Sequence, residues 1–165
     1  ARRMMVPSLD DQAQVMIECV QNHTPTVMVI DEIGRPAEVE AARTCKQRGV
    51  RMIASAHGDL RKLLKNTELN GLVGGVTTAI VSDGVAREAQ KSGAKREMQK
   101  TIAQRGGEPT FDAIVEVRRG AFHKWRVTLD VAEAVDTILK GQLYQVQDRV
   151  RDPETGSVRV ERLLV

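Results

Sequence analysis

Aromatic residues are almost absent from this chain: two phenylalanines, one tryptophan and one tyrosine in 165 residues. So few rings leave little material for the stacking platforms that hold single-stranded nucleic acid. Cysteine is equally scarce. Cys19 and Cys45 form no C-x-x-C and join no Cys/His cluster, which points to buried, reduced thiols and away from a zinc site. His23 and His123 have no supporting constellation either. The longest apolar stretches, Thr26–Ile30 and Leu72–Val81, fall far short of the roughly 18 residues a bilayer span needs. The phosphate-cradling pattern G-x-x-x-x-G-K-[ST] is missing: Gly71-Leu-Val-Gly74-Gly75 carries no lysine, and Lys91-Ser92 follows no glycine. The opening Ala1-Arg-Arg-Met-Met5 has neither an initiator methionine nor an apolar signal core, so the chain reads as a piece of a longer protein.

What is present suits one globular domain, with or without an appendage, at 41% hydrophobic and 28% charged residues. Ser8 with Asp11 opens an amphipathic helix that Thr24-Pro25 ends. Thr26–Ile30 is an unbroken β-prone run, expected to be a central parallel strand covered on both faces. Pro36–Arg48 is a second helix with Gly49 at its C-terminus, and Val50–Ser55 a second strand. Asp59 caps a short helix, Gly74–Ser82 reads as a strand and Val85–Gln104 as a polar helix. Phe111–Val117 and Trp125–Leu129 flank a turn at Arg118-Arg119-Gly120, and Asp130 with Glu133 caps a helix ending at Gly141. The polar remainder folds about Asp152-Pro-Glu-Thr-Gly156. Alternating helices and strands imply an α/β fold with a parallel sheet.

Ligands in such sheets gather at the carboxyl ends of the strands. After the first strand stand Asp31 and Glu32; after the second, Ser55-Ala-His57-Gly58. Two carboxylates at the end of a covered strand lose hydration unless a cation or donor compensates. In P-loop ATPases the first acid helps to hold Mg²⁺ through its water shell, and the second takes a proton from the attacking water. Asp31 and Glu32 fit these roles. Ser55 and His57 would sense the γ-phosphate or the water from the neighbouring strand, with Gly58 beside them. Arg35, and the Arg118-Arg119 pair, could complete a site from a neighbouring subunit. Taken singly, each of these residues is also an ordinary loop acid, cap or solvated arginine.

Arg2-Arg-Met-Met-Val-Pro7, Val27-Met-Val-Ile-Asp-Glu-Ile-Gly34, Ala41-Ala-Arg-Thr44, Ala56-His-Gly58, Leu72-Val-Gly-Gly75 and Gln99-Lys-Thr101 together resemble the AAA-type ATPases of plastids and cyanobacteria, a family similar to sporulation stage III protein AA. The resemblance implies the carboxyl-terminal half of a RecA/AAA-like P-loop NTPase core in residues 1–105, with the Walker B acids in the strand ending at Asp31-Glu32. A hairpin-plus-helix extension over 106–141 would follow, and then a polar tail or a two-stranded segment over 142–165. It further implies ATP and Mg²⁺ as cofactors, a ring-shaped homo-oligomer, a nucleic-acid-binding domain elsewhere in some relatives, and a place in the plastid stroma, or the cytoplasm of a bacterium. The competing reading is a non-catalytic nucleic-acid-binding or interaction module, for which the basic surplus between Arg87 and Arg105 would be the contact surface.

Overall fold

Local sequence signals set most of the element boundaries. The computed structural model describes residues 2–80 and 101–165. A single 3₁₀ turn at Leu9–Asp11 leads into α1 (Gln12–His23), which stops where Thr24, ahead of Pro25, takes a left-handed conformation at φ 41°. Strand β1 (Val27–Ile30) is followed by α2 (Pro36–Gln47), with Pro36 in its first turn, and by β2 (Arg51–Ala54). The β1–α2–β2 unit is a parallel crossover in register Val27 to Arg51 through Ile30 to Ala54. Asp59 accepts from the Lys62 amide at 2.8 Å and so caps α3 (Leu60–Lys65).

From there the connections change character. A 3₁₀ turn at Asn70–Val73 ends in Gly74 and Gly75, and β3 (Val76–Ile80) pairs antiparallel with β4 (Thr101–Arg105). The pairing runs on through the glycines, with Gly106 and Gly107 donating to the carbonyls of Gly75 and Gly74 at 3.2 and 2.9 Å. Only glycine suits position 74: its φ is 101°, and a Cβ there would stand 2.8 Å from the Gly107 carbonyl oxygen. Strands β5 (Ile114–Val117), β6 (Lys124–Thr128), β7 (Gln145–Arg151) and β8 (Val158–Leu164) form an antiparallel sheet in that order, with α4 (Val131–Leu139) between β6 and β7. Residues 142–165, expected as a polar tail or a two-stranded segment, supply two strands of this sheet.

The parallel α/β core expected from the sequence is therefore corrected. Among the described residues only β1 and β2 run parallel; the β3–β4 pair and the four-stranded sheet are antiparallel, so this is not a RecA-like core. The physical reason is connection length. Six residues join β5 to β6 and six join β7 to β8, too few for the crossover that parallel neighbours need. The helix expected over Val85–Gln104 ends as strand β4; its part over 81–100 lies outside the described residues. Nor is β1 covered on both faces. Met28 and Ile30 are buried beneath α1 and α2, whereas Val29 is 75% and, on β2, Ile53 is 63% exposed.

One hydrophobic core runs through the described residues. It joins Met16 and Val20 of α1, Val39, Ala42 and Cys45 of α2, the leucines of α3, and Val131 and Val135 of α4, reaching Val146 of β7. Burial pushes the Cys45 thiol above its ordinary pKa, as expected of a thiol kept protonated in an apolar setting.

Candidate functional site

The carboxyl ends of β1 and β2 lie side by side, so the residues that follow them meet. Glu32 Oε1 stands 3.2 Å from His57 Nε2, an ion pair when the imidazole is protonated. Two backbone links and one side-chain link hold the strand ends together. Ser55 N–H donates to the Ile30 carbonyl at 3.3 Å, Ile33 N–H to the Ser55 carbonyl at 2.8 Å, and Ser55 Oγ to the Asp31 carbonyl oxygen. Ile33, almost wholly buried, anchors the loop between the two acids and α2. Gly58 turns the chain at φ 112° toward the Asp59 cap, where a Cβ would approach that of Lys62 to 3.1 Å.

The four residues expected to act together thus share one edge, though Ser55 spends its hydroxyl as a clasp between strands. Arg35 does not join them. Its guanidinium pairs with Asp10 and its backbone N–H donates to Glu38 at 3.1 Å. Arg118 and Arg119 lie exposed in the β5–β6 turn. The site is open: the His57 side chain is 91% and the Glu32 side chain 56% exposed, with Asp31 and Ser55 also at the surface. No water-excluding cleft closes over it among the described residues.

Sequence reasoning missed two residues that shape this edge. Glu38 is a buried carboxylate whose Oε2 accepts from the amides of Gly34 and Arg35 at 2.8 and 3.1 Å, fixing the loop that carries Glu32. Its place at the third position of α2, two residues after Pro36, is the sequence signal for such a cap. Gln12, at the start of α1, donates from Nε2 to the Glu32 carbonyl oxygen; no local pattern foretells a bond between residues so far apart in the chain.

Two neighbouring carboxylates at a strand end are a donor set that Mg²⁺ tolerates, since that ion keeps most of its waters and takes one or two carboxylates beside a phosphate group. No closed cluster of three or more acidic, histidine or cysteine side chains is found among the described residues.

No protein-family model matches the chain, and no solved structure matches it. It is 41% identical over 152 residues to the uncharacterized protein ycf45 of Cyanidium caldarium and 42% identical over 160 residues to ycf45 of Porphyra purpurea. To protein SEEDLING PLASTID DEVELOPMENT 1 of Arabidopsis thaliana it is 43% identical over 143 residues. These matches take in 90%, 92% and 86% of the chain but only 42%, 26% and 20% of the relatives, so the chain spans less than half the length of each. The resemblance to AAA-type ATPases is corrected accordingly: the relatives found are ycf45 and SEEDLING PLASTID DEVELOPMENT 1, and neither a family model nor a P-loop ATPase structure supports that assignment. Similarity at this level along nearly the whole chain connects it with plastid proteins.

Proposed function

We propose that Asp31, Glu32, Ser55 and His57 form the hydrolytic half of a Mg²⁺-dependent ATP-hydrolysing site whose phosphate-holding half lies in polypeptide outside these 165 residues. The observation that carries this reading is the 3.2 Å approach of Glu32 to His57 at the shared edge of two parallel strands. A carboxylate that touches a neutral imidazole can accept a proton from a water molecule and pass that proton to the imidazole, which restores the carboxylate beside an imidazolium. Asp31, next in the chain, would hydrogen-bond a water of the ion's shell. Ser55 and Glu38 act by position, clasping β2 to β1 and setting the loop. When bound, Mg²⁺ would neutralise the charge that develops on the transferred phosphoryl group.

On the complete protein, Glu32→Gln should bind ATP as the parent does and lose about 10²–10⁴ in hydrolysis rate, the range for a missing general base. Phosphate release and nucleotide binding measured side by side check this, and unchanged turnover would remove Glu32 from the role. We further propose that the protein works in the plastid stroma as a homo-oligomer, the subunits completing one another's sites. The plastid connection of the relatives supports the compartment, and the solvent-open edge supports a site completed from outside.

A non-catalytic interaction module is the second reading, favoured by the bare apolar residues Val29 and Ile53. Its proposed basic contact segment has lost one member, since Arg105 is held by Asp136 at 3.0 and 3.2 Å. Under that reading Glu32→Gln changes neither binding nor any turnover.

A further inference from the structure

Between the parallel pair and the four-stranded sheet lies a groove of about 520 Å³. Consecutive residues line each wall, Met52 through Ala54 of β2 with Ser55 just after it, and Ile114 through Val117 of β5. Side chains of a strand alternate between faces, so a wall built of consecutive residues is a strand edge and presents backbone. The hydrogen bonds agree. Arg51 and Ser55 donate their amides to Thr26 and Ile30 of the β1 side, each at 3.3 Å, which turns the amides of Met52 and Ala54 away from β1 and toward the groove. Across the groove, β5 is the terminal strand of its sheet, with β6 on its other side. The two facing edges share no ladder among the described residues.

Among the described residues both edges are unpaired, over an apolar floor that includes Leu72 and Val73, and an open strand edge invites another strand. The exposed side chains beside the groove match that occupant. Ile53, Val115 and Val117 are each more than half exposed, and Val29 extends the same apolar character onto β1. We propose that an extended segment of the same polypeptide, outside these 165 residues, inserts between β2 and β5 as a strand and joins the two sheets into one.

The source follows from length. At most 42% of each relative corresponds to this chain, so the greater part of every one of them is polypeptide outside it. A strand tethered in the same molecule meets the groove at a high effective concentration, which a separate partner or second copy lacks. Insertion is independent of any hydrolysis at Glu32, and either can fail alone.

The test uses the complete polypeptide with a photoreactive benzoylphenylalanine placed at Ile53 or at Val115, both exposed enough to accept it. Irradiation at dilute concentration and peptide mapping should join both positions to one and the same segment outside residues 1–165. In the unmodified protein, the Met52 and Ala54 amides should exchange with deuterium about 100-fold more slowly than open-edge amides. Cross-links confined to residues 1–165 would overturn the proposal, as would cross-links to an isotope-labelled second copy. So would exchange of Met52 and Ala54 at unprotected rates.

Discussion

His57 and Thr128 pose opposite problems, one polar side chain almost wholly in solvent and one almost wholly out of it. With its side chain 91% exposed, His57 contributes little packing. His57→Asn should leave unfolding free energy within about 0.5 kcal/mol of the parent. Under the proposed hydrolytic role, the same substitution in the complete protein should lower ATP turnover by about 10², since the partner of Glu32 is gone. Denaturant midpoints read the first effect and phosphate release the second. Thr128 is 1% exposed, and among the described residues its Oγ1 has no hydrogen-bond partner. Replacing a buried orphan hydroxyl by a methyl of the same shape removes a desolvation cost, so Thr128→Val should raise stability by about 1 kcal/mol in urea melts. The sequence put Glu32 and His57 at neighbouring strand ends, because both follow apolar runs joined by one crossover helix and such strands end on one side; their direct contact was not foreseen. Arg35 and Ser55 were legible only as residue types. Their partners, Asp10 and the Asp31 carbonyl, come from elsewhere in the chain, and no spacing rule finds them.

Strands β6 and β7 carry the clearest electrostatic device. Arg126 and Asp148 stand directly opposite in register and meet at 2.9 and 3.3 Å through a two-pronged contact. The guanidinium's hydrogen bond holds the Asp148 carboxyl below its ordinary pKa. A carboxylate whose pKa falls on folding adds stability above its unfolded value, about 3.9, and loses it as pH falls through the lowered value. Asp148 is partly exposed, so solvent screening keeps the effect to about 0.5–1 kcal/mol. Asp148→Asn should show that deficit at pH 7, and the gap from the parent should close as unfolding is measured at successively more acid pH. Helices α1, α2, α3 and α4 and most strand runs were legible because caps, prolines and apolar period are local; β4, which falls at the end of a run expected as helix, was not. Strand direction was not. Helix–strand alternation holds for β1–α2–β2, but short turns at Arg118–His123 and Asp152–Ser157 reverse the chain, and a β-prone run carries no mark of which neighbour it will pair with.

At the scale of the molecule, no hydrogen-bonded ladder among the described residues links the parallel pair to the four-stranded sheet, yet both rest on one core. Leu60, fully buried at the start of α3, sits within that core beside side chains contributed by α1, β1, α2, α4 and β7. It also stands at a junction of the two sheets, for its amide donates to Glu116 of β5 at 3.1 Å while α3 follows directly from the loop after β2. Truncating a fully buried leucine costs about 2–5 kcal/mol, depending on how far the surroundings close in. A shared core makes that loss common to both halves, and the two can be read separately. The single tryptophan, Trp125, reports from β6 in the antiparallel sheet, while amide exchange at Met28 and Ile30 reports from the parallel pair. In Leu60→Ala both probes should move to the same lower denaturant midpoint, as one cooperative transition requires. A Trp125 transition that stayed in place while Met28 and Ile30 lost protection would show two units that fold apart, and the core would then be continuous in space but not in stability.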